Sequence, residues 1–155
     1  MPTQRLKILL AIDDSKFSEA ALRMLATQQK PAKTTVKILH VVEPLELAYY
    51  PEMTAPYPVS LGDIQKKKTA AARRMVDGAA EQLRKAGFPV ESSVRPGQVR
   101  PMVVDVARKW RADLIVVGSH GRTGLGRILL GSVSDYVAHH APCSVEIVRM
   151  KNKKG

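Results

Sequence analysis

The sequence predicts an α/β protein in which five short strands alternate with four helices, the strands mostly parallel and the helices on both faces of one open sheet. Three observations predict it. Apolar runs such as Ile8-Leu-Leu-Ala-Ile12 and Asp113-Leu-Ile-Val-Val117 have the length of buried strands rather than helices. The stretches between them carry apolar residues at helical spacing. The 155 residues show no internal repeat and no linker, which suits a single domain over 1–155, with a core of about 4–149 and a basic tail at 150–155.

Each element has its own signal. Leu6 to Ile12 reads as the first strand. Asp14 and Ser15 offer an N-cap to a first helix whose apolar stripe is Ala20, Ala21, Met24 and Leu25. Thr35 to Val42 is a second strand. Glu43 to Leu61 has no periodicity and holds Pro44, Pro51, Pro56 and Pro58 together with Tyr49, Tyr50 and Tyr57. It reads as a long loop, either packed on its own tyrosines or lying over a ligand. Asp63 to Ala86 is a long amphipathic helix, with Ile64, Ala72, Met75, Val76, Ala79 and Leu83 on one face and Gly87 as its stop. Phe88 to Val94 alternates more, as a third strand near a sheet edge does. Arg95-Pro-Gly97 reads as a turn. Gln98 to Trp110 is a third helix with Met102, Val103, Val106, Ala107 and Trp110 inward. Leu114 to Val117 is the fourth strand, Ser132 to His139 the fourth helix and Ser144 to Val148 the fifth strand.

Composition bounds the function. Aromatic residues make up only 5%, so the core is expected to be aliphatic. The single cysteine, Cys143, allows no intrachain disulfide and no cysteine-based metal cluster, and it fits a reducing, cytoplasmic setting as a buried structural thiol. No apolar run reaches the length of a membrane span, and Ile8 to Ile12 is too short for a signal peptide. The net charge of +11 suits either solvated helix faces or attraction to phosphates, nucleic acid or anionic membrane. Lys66, Lys67, Lys68, Arg73 and Arg74 gather on one helix, and Arg149, Lys151, Lys153 and Lys154 at the C-terminal end. No aromatics are interleaved with them, which speaks against nucleic acid.

The chemistry concentrates between Gly118 and Asp135, GSHGRTGLGRILLGSVSD. A glycine-rich stretch between a strand and a helix N-terminus is an anion site. Glycine admits close approach of backbone to ligand, and the first helical N–H groups carry a partial positive charge. The matching anion is a phosphate, and the matching ligand a nucleotide. Gly121-x4-Gly126 is followed by Arg127-Ile128 and not by Lys-Ser/Thr, so a Walker loop fails. Gly124-x-Gly126 lacks a third glycine at Leu129, so a dinucleotide fingerprint fails too. No nucleophile–base pair, paired carboxylates or metal cluster is evident. His40, on a strand, and His139-His140, at a helix end, lack ligand spacing.

The spacing Gly118-x2-Gly121-x9-Gly131-Ser132 resembles the nucleotide motif of the universal stress protein family. Ile8 to Ser15 resembles that family's opening strand and its acidic end, and Leu39-His-Val-Val-Glu-Pro44 its second strand. Ala112 to Gly121 and Cys143 to Val148 resemble its fourth and fifth strands. The resemblance implies a Rossmann-like sheet in the order 3-2-1-4-5, with Asp13 and Gly118 at one crevice, the topological switch point. It further implies a stress-response protein that binds ATP as a regulatory ligand, its Mg²⁺ carried by the phosphates, with little or no hydrolysis. An antiparallel homodimer through Ser144, Val145, Glu146, Ile147 and Val148 is implied as well.

The nucleotide-binding set carried by the resemblance begins at the strand ends, with Ala11, Ile12, Val117 and Val41, the last offering backbone N–H and C=O to adenine. Asp13 suits ribose hydroxyls, its other reading being a helix cap. Gly118 and Gly121 would turn the backbone under the phosphates, and Gly131 would admit close approach. Ser132 either bonds a phosphate or forms a capping box with Asp135. Val133 and Ser134 add N–H groups, and Ser134 a hydroxyl. His120, Arg122 and Arg127 lie in the loop, either arginine suited to a γ-phosphate. Three rival readings remain at this stage. One is a slow ATPase or other adenine-nucleotide hydrolase. Another is a basic module for a partner or nucleic acid with an incidental nucleotide. The third is the same pocket serving AMP or a cyclic nucleotide.

Overall fold

A computed structural model describes residues 4–45, 60–121 and 129–151. The element order is β1 (Leu6–Ala11), α1 (Lys16–Gln28), β2 (Thr34–Val42), α2 (Leu61–Lys85), β3 (Val90–Pro96), α3 (Val99–Trp110), β4 (Leu114–Gly118), α4 (Ser132–His140) and β5 (Ser144–Val148), with one 3-10 turn at Pro31–Lys33. The five strands form one sheet in the order β3-β2-β1-β4-β5, and every pairing is parallel. The expected architecture and order are both observed.

Side-chain alternation along the strands divides the core in two. Ile8, Leu10, Ile38 and Val116 face α1 and α2, where Leu25, Val76, Ala80 and Leu83 pack on them. Leu9, Leu39, Val41, Ile115 and Val117 face α3 and α4, meeting Val103, Val106, Ala107 and Val137. Central strands buried on both sides are continuous apolar runs for this reason.

Several boundaries differ from expectation. α2 begins at Leu61, two residues early, because the Ser60 hydroxyl accepts from the Asp63 N–H at 3.2 Å and caps it. β3 starts at Val90, since Phe88 is a buried anchor ahead of the strand. Arg95 and Pro96 are not a turn: they continue the strand in register with Val41 and Val42. β3 is an edge, so the missing N–H of Pro96 leaves no partner strand unsatisfied. The chain turns only at Gly97, with φ +147°. α4 extends to His140, where His139 and His140 each donate from Nδ1 to a carbonyl one turn back.

The Pro/Tyr segment lies outside the described residues from 46 to 59, so Tyr49, Tyr50 and Tyr57 are not placed, and neither are Lys153 and Lys154. Lys66, Lys67, Lys68, Arg73 and Arg74 are exposed along α2. No helix among the described residues is long and apolar enough to cross a membrane.

Candidate functional site

Three elements converge at the carboxyl ends of the central strands: the end of β1, the end of β4 and the start of α4. Asp13 follows β1. Its Oδ1 accepts from the Ser15 N–H at 2.9 Å and from the Ser18 hydroxyl at 2.8 Å. Its own N–H donates to Ser18 Oγ at 2.8 Å. Buried Ser18 thus holds Asp13 by backbone and side chain at once. The cap of α1 is Ser15, whose hydroxyl accepts from the Ser18 N–H, so Asp13 is released from capping. Its second oxygen faces the loop after β4: a β-carbon built on Gly121 would lie 2.9 Å from Asp13 Oδ2.

The motif glycines are required by close packing. Neither Gly118, Gly121 nor Gly131 has a positive φ, so close approach rather than a left-handed backbone is what demands glycine at these positions. A β-carbon at Gly118 would meet the backbone and Cβ of Phe17 at 2.8 Å. One at Gly131 would meet His120 Cα at 3.0 Å and the Ser119 carbonyl at 3.2 Å. Gly118 lets the first turn of α1 seat on β4, and Gly131 lets the start of α4 seat on the loop.

Gly131 is also the N-cap of α4, and it has no side chain to cap with. The expected capping box of Ser132 with Asp135 is therefore absent, because Ser132 is already the first helical residue. The first helical bond runs from the Asp135 N–H to the Gly131 carbonyl. The N–H groups of Ser132, Val133 and Ser134 precede it and form the positive end of the helix. The Ser134 hydroxyl is not offered outward as expected. It is buried and donates to the Ser119 carbonyl at 2.9 Å, with the Gly131 carbonyl at 3.0 Å.

Ser119 joins these parts. Its carbonyl accepts from Gly131 N–H at 2.8 Å and its own N–H donates to the Val148 carbonyl at 2.9 Å, at the end of β5. His120 bonds within the loop, with Nε2 to the Leu129 carbonyl and Nδ1 to Ser119 Oγ. Arg122 and Arg127 lie outside the described residues, as do Gly124 and Gly126.

Val41 presents backbone rather than side chain. Pairing of β1 with β2 ends with the Ile12 N–H on the Leu39 carbonyl at 2.9 Å. Peptide groups alternate sides along a strand, so those of Val41 point the same way as those of Leu39, beyond the point where β1 has ended. The Val42 carbonyl, one residue on, points the opposite way and accepts from Gly97. Ala11 and Val117 are the last register pair of β1 and β4, and Ile12 closes the floor below Asp13.

Sequence reasoning missed His40, Ser18 and Ser119. His40 Nδ1 lies 2.7 Å from the Ile12 carbonyl and pins the end of β1 from β2. Only the position of a histidine near a strand end hinted at it.

The predicted interface residues Ser144, Val145, Glu146, Ile147 and Val148 form β5, an edge strand. Val145 and Ile147 pack toward α3 and α4, while Val148 is buried against the α1 side. Among the described residues no group of three His, Cys, Asp or Glu side chains could hold a metal.

Comparison with known proteins agrees with this architecture. The model of the universal stress protein family matches residues 5–149. The universal stress protein Sll1388 of Synechocystis is 32% identical over 149 residues, spanning 92% of this chain and 97% of that one. Universal stress protein A homolog 1 of Coxiella burnetii is 34% identical over 145 residues, spanning 93% and 96%. Among solved structures, that of the protein MJ0577 superposes with a TM-score of 0.81 at 29% identity, covering 97% of this chain and 99% of that one. Two more distant neighbours share the fold and carry ligands. A universal stress protein in complex with cAMP has a TM-score of 0.66 at 22% identity, covering 94% and 98%. An Arabidopsis thaliana family protein with AMP bound has 0.67 at 16%, covering 96% and 94%. With the family model matched over nearly its whole length, the chain belongs to the universal stress protein family.

Proposed function

We propose that this protein binds ATP as a regulatory ligand in the crevice between β1 and β4, in a cytoplasmic stress response and with little or no hydrolysis. One observation carries the reading: the uncapped N-terminus of α4 stands beside Gly121, which in turn abuts the outward oxygen of Asp13. Phosphates take the N–H groups of Ser132, Val133 and Ser134. Ribose hydroxyls donate to Asp13 Oδ2, and the adenine edge pairs with the peptide groups of Val41. Arg122 and Arg127 supply countercharge, and any Mg²⁺ arrives on the phosphates. The known neighbours with cAMP and AMP bound support an adenine nucleotide.

The test is nucleotide release: heat the purified protein, clear it, and resolve the supernatant by anion exchange beside ATP, ADP, AMP and cAMP. Near-stoichiometric ATP supports the reading. AMP or cAMP instead makes the resident ligand a nucleoside monophosphate. No nucleotide, together with no thermal shift on adding one, overturns it. Phosphate release from Mg-ATP well above a Gly131→Val control favours the hydrolase reading.

The same proposal includes a homodimer through β5. The two sheet edges differ. β3 carries Glu91, Arg95 and Pro96, which discourage pairing, whereas β5 reads Ser-Val-Glu-Ile-Val. Hydrogen exchange tests it without mutation: the β5 amides that face away from β4 should be protected at high concentration and lose protection on dilution to monomer, while β3 amides do not change. Val148→Lys is unsuitable, because Val148 is core and the change would test folding.

A further inference from the structure

His120 was grouped with the ligand contacts by its place in the motif, and the geometry gives it a different task. Its Nε2 lies 2.5 Å from the Leu129 carbonyl, and a carbonyl only accepts, so Nε2 carries the proton. In the neutral ring Nδ1 is then an acceptor, 3.2 Å from the Ser119 hydroxyl that can donate to it. Both nitrogens are spent inside the protein. The ring also packs on Phe17, with centroids 5.1 Å apart and planes at 49°.

Its partners come from three places. Phe17 belongs to the first turn of α1, on which Gly118 also sits. Ser119 holds Gly131 and Ser134 of α4 and the end of β5. Leu129 is nine residues along the chain from His120, beyond the glycine-rich stretch. Leu129 is 74% exposed, and its carbonyl bond to His120 ties it back beside the Gly131–Ser119 backbone bond. The His120 Cα is also the atom against which Gly131 closes. One imidazole therefore fastens the chain entering the glycine-rich stretch to the chain leaving it.

We propose that His120 is a positioning residue for the anion site. It sets the span between Gly121 and the start of α4, so that the N–H groups of Ser132 and Val133 meet a phosphate already in place, and it does not touch the phosphate itself. The inference rests on the nucleotide reading above and deepens it. Preformed donors bind more tightly because less ordering is left to the binding step.

Two variants and one spectrum test it. His120→Gln keeps an N–H donor within reach of the Leu129 carbonyl. His120→Phe keeps the ring on Phe17 and removes both hydrogen bonds. Calorimetric titration with ATP should find His120→Gln within about threefold of wild type and His120→Phe weaker by about tenfold, the effect of one or two lost hydrogen bonds. If both variants lose equally, the Leu129 hydrogen bond is not what His120 contributes, and the proposal falls. In the ligand-free protein, ¹⁵N–¹H imidazole correlations should show a proton on Nε2 of His120, and the Nδ1–H tautomer overturns the clamp. Wild type that takes up no ATP overturns the nucleotide reading, while the tautomer decides the clamp by itself.

Discussion

Gly118 sits directly on Phe17: a β-carbon at 118 would approach the Phe17 carbonyl carbon and Cβ to 2.8 Å and its oxygen to 2.9 Å. The contacted atoms are backbone and the root of a side chain, so they cannot swing aside. Gly118→Ala should destabilise the fold by about 1–3 kcal/mol, the usual cost of overpacking, with nucleotide present or absent. Urea denaturation of the ligand-free protein measures it. An alanine at 118 that leaves the midpoint unchanged would show that the first turn of α1 is free to retreat.

Ser18 is expected to matter as much as the acid it holds. Ser18→Ala removes the donor to Asp13 Oδ1 and the acceptor of the Asp13 N–H. Ser18 is 7% exposed, so water does not readily replace either bond. The expected cost is about 1–3 kcal/mol of stability. ATP affinity, measured by calorimetry, should fall as well, because the carboxylate loses its orientation. Unchanged affinity would place Asp13 outside the site.

Gly78 should be improvable. It lies in the interior of α2, and nothing stands within 4 Å of where its β-carbon would be. Glycine costs about 1 kcal/mol against alanine in a helix interior. Gly78→Ala should therefore raise the melting temperature by about 2–4 °C. It also lines a crevice of about 280 Å³ between α1 and α2, together with Leu22, Arg74, Met75 and Gln82. A fall in melting temperature would mean that α1 closes on α2 at that point.

Cys143 should be a slow thiol. Burial, and then the charge of Asp113, push it above its ordinary value, against a smaller lowering by a backbone hydrogen bond at Ile115. Iodoacetamide near neutral pH should alkylate it more slowly than an unfolded control, because less thiolate is present. The folded chain favours the protonated form. This group's contribution is whole below the ordinary thiol range near about 8.5 and is lost as pH rises through it toward the raised value. Cys143→Ser should flatten that alkaline decline in a pH series of denaturation midpoints.

What was legible in the chain follows the range of the force involved. β1, β2 and β4, the inner strands, announced themselves because burial on both faces demands largely apolar runs, and β5 did so by its short run of branched residues. α2 did so because a helix on a sheet needs one apolar face. The strand order came with the family resemblance. Where a boundary depended on one contact across space, local pattern failed. Phe88 looked like strand because it is apolar, yet it anchors the chain before β3 begins. Ser132 looked like a cap because serine caps helices, yet Gly131 takes that place where α4 presses against His120. Ser18 and Ser119 gave no signal, since a small hydroxyl residue carries no periodicity and each acts through partners fixed only by the fold. Ser119 meets Val148 at the end of β5, 29 positions away.

β2 runs on to Val42, whereas β1 stops opposite Leu39. That unequal length leaves the peptide groups of Val41 facing the side where the β1 pairing has ended. A purine edge seated there would complete the sheet as a short surrogate strand. Base choice would then be written in how far one strand outreaches its neighbour, and not in any side chain. Exchanging Val41 for Ile would leave recognition intact, whereas inserting one residue into β2 before Val41 would turn the same peptide toward β3 and erase it.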